Sequence, residues 1–94
     1  MSESKVFLTG HIDVPIDRLE QVRAALPKHI ALTRAEPGCL SFEVTEDAET
    51  PGRFNVNEVF RDQASFDAHQ ERTQNSDWFG ITQGIPRSYQ ITKG

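Results

Sequence analysis

From Lys5 to Val14 the chain alternates, with Val6, Leu8 and Ile12 on one side and Phe7, Thr9, His11 and Asp13 on the other. A period of two is that of a strand with one buried face. Gly10 falls on the apolar side, which predicts a bulge or a close approach of another group to the backbone. Pro15 breaks the alternation, and Asp17 with Glu20 three residues on resembles a capping box. Leu19, Val22, Leu26, Ile30 and Thr33 follow at helical spacing and predict one long helix reaching Pro37-Gly38. Pro27 lies inside it and is expected to bend it, because its ring removes a donor and crowds the Arg23 carbonyl.

The period returns to two at Leu40, where Leu40, Phe42 and Val44 alternate with Ser41, Glu43 and Thr45. A polar loop over 46–52 ends in Thr-Pro-Gly and leads to a strand over 53–61, consistent with a hairpin. In that strand Phe54, Val56, Glu58 and Phe60 share one face, and Asn55, Asn57, Val59 and Arg61 the other. Asp62 is placed to cap a helix running to about Arg72, with Phe66, His69 and Thr73 along one side. A further short helix, capped within 75–77, carries Trp78, Phe79, Ile81, Thr82 and Ile85 up to Pro86. The last strand, 87–93, sets Tyr89 and Ile91 opposite Ser88, Gln90 and Thr92. The order β-α-β-β-α-(α)-β is the ferredoxin-like split βαβ arrangement, an α+β fold whose antiparallel sheet carries helices on one face. With no repeat or linker, residues 1–94 read as a single domain.

A chain of 94 residues buries only about 60–65% of its unfolded surface, so a second subunit on the uncovered sheet face would help it. Phe7, Val59, Tyr89 and Ile91, read onto that face among Thr, Asn, Ser and His, suit packing against another copy. The net charge is −4 and no Lys/Arg cluster stands out, which argues against a nucleic-acid partner. No stretch approaches the ~20 apolar residues that span a bilayer, and the polar MSESK start lacks a signal-peptide core, so the cytoplasm is expected. Cys39 is the only cysteine and has no His or Cys at metal spacing, so neither an intrachain disulfide nor a metal site is expected.

The run TRAEPGCLSFEV (33–44) and the run FNVNEVFRDQASFDAHQ (54–70) resemble the antibiotic biosynthesis monooxygenase family, which includes quinol monooxygenase-like proteins. The resemblance extends from about Val6 to Tyr89. It implies a homodimer whose two sheets pack face to face as a dimeric α+β barrel, with a pocket between helices and sheet in each subunit. It further implies oxidation of a small quinol or polyphenol by O2 without metal, flavin or other cofactor.

Within that frame Glu58 is the one ionisable residue on the helix-facing side, where an ionised carboxylate is costly unless paired. It reads either as a base or anchor for a phenolic hydroxyl, or as half of a structural pair with His69, Arg34 or a backbone donor. His69 shares its helical side with Phe66 and could take a phenolic proton near neutral pH, or serve as a satisfied core histidine. Phe60, Phe66, Trp78 and Phe79 offer aromatic surface to a substrate, or plain packing. Arg34 and Glu36 read as structural, Cys39 as packing, and His11 and His29 as isolated residues without a catalytic part. Two alternatives remain: a non-catalytic dimer binding a small aromatic metabolite, and a heme-degrading oxygenase using His69. The heme-degrading relatives resemble one another in a Trp and an Asn where this chain has Phe60 and Thr9-Gly10.

Overall fold

The computed structural model describes residues 4–94. In chain order the elements are β1 (Val6–Asp13), α1 (Ile16–Arg34), β2 (Cys39–Glu46), β3 (Arg53–Phe60), α2 (Gln63–Gln74), α3 (Asp77–Ile81) and β4 (Arg87–Lys93). The strands form one antiparallel sheet in the order β2-β3-β1-β4. This is the expected ferredoxin-like α+β fold. Val6, Leu8, Ile12, Phe42, Val44, Phe54, Val56 and Phe60 form the sheet side of the core, and Val22, Leu26 and Phe66 its helical side.

Gly10 meets the second of its two expectations. A Cβ built on it would stand 2.0 Å from the Ser88 carbonyl oxygen and 2.9 Å from the Tyr89 ring, so β4 approaches β1 only because no side chain intervenes. The Asp62 cap also forms, its side chain accepting from the Ser65 N–H at 2.8 Å.

Four expectations need correction. At the start of α1 Pro15 occupies the cap position and no side chain caps the helix, so the Asp17–Glu20 box does not form; Asp17 lies in the first turn instead. The helix passes uninterrupted through Pro27 but ends at Arg34, short of Pro37-Gly38. Leu40 leaves the core: a bulge between Cys39 and Ser41 makes it the extra residue of β2, and it is 51% exposed.

The fourth correction concerns the two sheet faces. Residues paired across an antiparallel ladder project to the same side. Ile91 pairs with Leu8 and Tyr89 with Gly10, so both belong to the helix-facing side, not to the opposite face. They remain half exposed, for helix packing is concentrated over β2 and β3. The opposite face has three four-residue rows (Ser41, Val59, Phe7 and Thr92; Glu43, Asn57, Thr9 and Gln90; Thr45, Asn55, His11 and Ser88), followed by the Asp13–Arg53 pair. Phe7 and Val59 are its neighbouring apolar pair.

Candidate functional site

The alternation of β3 delivers Glu58 to the underside of the helices, where it is 8% exposed. On α2, three residues beyond Phe66, His69 points into the same layer and is 3% exposed. His69 Nε2 stands 3.7 Å from Glu58 Oε1, and that oxygen has no hydrogen-bond partner among the described residues. Burial, and secondarily the charge of Glu36, pushes the Glu58 carboxyl up from 4.5 to about 7. Half-protonated near neutrality, it can give or take a proton.

The other ring nitrogen, His69 Nδ1, faces both oxygens of Glu36 at 3.1 and 3.2 Å. Glu36 also accepts from Arg72 Nε, and Arg72 donates through its other arm to Thr33 Oγ1 at 3.0 Å. A carboxylate shared with a guanidinium acts as acceptor, which assigns the proton to Nδ1 and turns the Nε2 lone pair toward Glu58. Burial keeps the imidazole pKa below its usual value despite the opposing pull of Glu36, so the ring is neutral at pH 7. Thr33, Arg72, Glu36, His69 and Glu58 thus form one polar chain running from the helix layer into the core.

Rings surround this chain. Phe60 lies 4.8 Å from His69 between centroids, and Phe66 packs edge-on against Phe60 at 5.7 Å. Phe42 stands 5.9 Å from His69 on one side and 5.5 Å from His29 on the other. His29 in turn stacks nearly parallel on Trp78, 4.7 Å away with 5° between planes. Phe60 and Trp78 are therefore separated by two histidines and do not form one wall. Phe79 sits on α3, 36% exposed, outside these ring contacts.

The arrangement differs from the sequence expectation in two residues and one distance. Glu36, read as structural, is the residue that orients His69. His29, read as isolated, is 6% exposed, and its Nδ1 has no hydrogen-bond partner among the described residues. Its signal was present, since His29 follows Leu26 by three and precedes Thr33 by four on the buried stripe of α1. Glu36 carried no such signal, because its partner lies 33 residues away. Finally, at 3.7 Å Glu58 and His69 leave no room for a ring between them. A cleft of about 540 Å³ between α1 and the α2–α3 junction comes up to the cluster, with His29, Arg72 and Trp78 in its wall. Arg34 donates to the Phe42 carbonyl at 3.0 Å, tying the end of α1 to β2. Cys39, whose thiol burial pushes up, packs against the core.

Comparison with known proteins follows the same lines. A family model described as "Antibiotic biosynthesis monooxygenase" matches residues 6–79. The uncharacterised protein sll1783 of Synechocystis sp. is 32% identical over 68 residues, which is 72% of this chain; the chain spans 46% of that relative. Among solved structures, the "putative antibiotic biosynthesis monooxygenase" of Nitrosomonas europaea superposes with a TM-score of 0.82 at 23% identity, over 100% of this chain and 92% of that one. Rv0793 of Mycobacterium tuberculosis gives 0.75 at 24% identity, over 95% and 93%. At such identities these two structures speak for the fold alone. No described helix is long and apolar enough to cross a membrane.

Proposed function

Because the chain belongs to the antibiotic biosynthesis monooxygenase family, whose description supports a monooxygenase-like or small-molecule-binding role, we propose that it oxidises a small quinol or polyphenol with O2 and without a cofactor. The observation carrying this reading is the unbonded, buried Glu58 Oε1 beside the Nε2 lone pair of a histidine whose tautomer Glu36 sets. A phenolic hydroxyl brought alongside donates to that oxygen and loses its proton to Glu58 or His69. The electron-rich phenolate passes an electron to O2, and recombination at a ring carbon forms a peroxide. One oxygen atom then replaces the ring hydrogen and the other leaves as water, so a hydroquinone plus O2 becomes a hydroxyquinone plus water. The protein binds, orients, accepts the proton and excludes water. Phe60 and Phe66 back the histidine, and Trp78 with the more exposed Phe79 lies toward the outer side.

We place this chemistry in a homodimer formed through the sheet face carrying Phe7 and Val59. Oxygen uptake with a panel of benzo- and naphthohydroquinones tests the activity. Uptake should fall at least a hundredfold in Glu58→Gln and His69→Ala; unchanged turnover in the double variant removes the mechanism.

The near contact of Glu58 with His69 favours one second reading, a dimer that binds a small aromatic molecule without oxidising it. Saturable binding with no oxygen consumption would select it. Heme ligation finds no support in the site, since His69 Nδ1 is held by Glu36 and Nε2 faces a carboxyl group.

A further inference from the structure

We propose that α3 is a lid over the Glu58–His69 pair, latched by Arg18, and that the pair is reached from the cleft beside α1 when this lid opens. His69 and Glu58 are 3% and 8% exposed, so no ring-sized molecule touches them while the helices stand as they do. Ser76, Asp77, Trp78 and Ile81 line the cleft, so the lid and part of its wall are one segment. Between ring centroids, Trp78 lies 4.7 Å from His29, and His29 lies 6.4 Å from His69. Glu58 stands just beyond His69. Moving α3 outward takes Trp78 off His29 and extends the cleft toward the pair. Closed, the same segment keeps water out.

The other walls open less easily. α1 buries Val22, Leu26, His29 and Thr33, α2 buries Phe66 and His69, and the sheet is tied by its ladders. α3 has five residues and buries none; Trp78 and Ile81 only lean on the core. A helix so short has little stability of its own, and segments with few buried contacts open at low free energy. Thr82 and Ile85, just past its end, are buried, which makes that end the hinge. Opening then means unwinding the last turn, in which the Thr82 N–H donates to the Trp78 carbonyl at 2.9 Å. Arg18, in the first turn of α1, grips this turn: it donates to the Ile81 carbonyl and, at 2.6 Å, to that of Gln83, on both sides of Thr82. Its charge also suits the negative end of the helix. Treating the pair as a destination rests on the function proposed above, but access to it is read without turnover.

Diethyl pyrocarbonate acylates neutral imidazoles, and His29 and His69 are both neutral at pH 7. Site-resolved mass spectrometry of the full chain, with N-acetylhistidine as the freely accessible standard, measures initial rates at each ring. In the native protein His69 should react at least about a hundredfold more slowly than the standard. Arg18→Ala, which removes two hydrogen bonds from the closed lid, should speed both rings about tenfold. Gly80→Ala adds a methyl group that meets nothing within 4 Å and favours the helix, so it should slow both about fivefold. Acrylamide quenching of Trp78, the only tryptophan, should rise and fall with the same two variants. Gly10→Ala, which disturbs β4 and leaves the latch alone, should change neither ring's rate. Rates that ignore Arg18→Ala or Gly80→Ala overturn the lid. So does a Gly10→Ala protein whose His69 reacts as fast as in Arg18→Ala, since the rings are then reached by global unfolding. Rates that follow the latch in a protein that consumes no oxygen sink the oxygenase reading and leave the lid standing; oxygen uptake with unresponsive rings does the reverse.

Discussion

Glu58 keeps a carboxyl group where an apolar side chain would cost less, and burial raises its pKa accordingly. Its pKa is ordinary in the unfolded chain and about 7 in the folded one, so between pH 4.5 and 7 the folded state holds the proton more tightly. The stability it contributes is therefore present below about 4.5 and is lost as pH rises through 7. His29 acts in the opposite sense: its pKa falls from 6.5 to about 4, chiefly by burial, so stability is lost as pH falls through that window. The two slopes oppose each other in the intact protein. Glu58→Gln removes one of them. Urea unfolding across pH 4.5–7 should show the variant gaining on the native protein by on the order of 3 kcal/mol as pH rises. Parallel profiles would mean that Glu58 titrates normally.

Between elements, the α1–β2 corner is joined to α2 by Glu36, which receives His69 and Arg72 from one helix while sitting past the end of another. Glu36→Ala removes the acceptor of the His69 N–H and of Arg72 Nε, leaving Arg72 its bond to Thr33. Loss of one member of a fully buried ion pair costs about 3–5 kcal/mol; Arg72 keeps some access to water, so roughly 2–3 is expected in urea unfolding. The ring-nitrogen NMR signals of His69 should also report a mixed tautomer, which a merely spacing role for Glu36 would not produce. At the β1–β4 edge of the sheet, Gly10→Ala pushes a methyl group into the Ser88 carbonyl and the Tyr89 ring. A backbone carbonyl cannot swing aside as a side chain can, so β4 must shift, at a cost of about 1–3 kcal/mol. Hydrogen exchange should quicken in β4 before it does in β3. Equal protection in both strands would show that the contact is not what seats β4.

For the molecule as a whole, the question is what covers the face away from the helices. Its rows are mostly Thr, Asn, Ser, Glu and Gln, and Phe7 beside Val59 is its apolar centre. A homodimer through this face would be partly polar, as interfaces commonly are. Light scattering should give twice the 10.6 kDa of one chain, and Val59→Lys should return it to one. A native monomer would end the barrel arrangement and leave any site to the single subunit. Should Val59→Lys remain dimeric, the contact lies elsewhere, and the half-exposed Tyr89 and Ile91 at the β4 edge are the next surface to alter.

By itself the sequence determined the elements, their order, and the burial of Glu58 and His69. Those features follow from periodicity over a few residues and from which side of each element is apolar, and the Asp62 cap needs only its own first turn. Tertiary structure decided the rest. Tyr89 and Ile91 took their side from the register against β1, and Leu40 lost its place to a bulge against β3. Glu36 reached His69, and His29 reached Trp78, across gaps in sequence that no local pattern spans. A side chain's face is set by its neighbours in the chain, whereas its partner is set by which distant segment the fold brings against it.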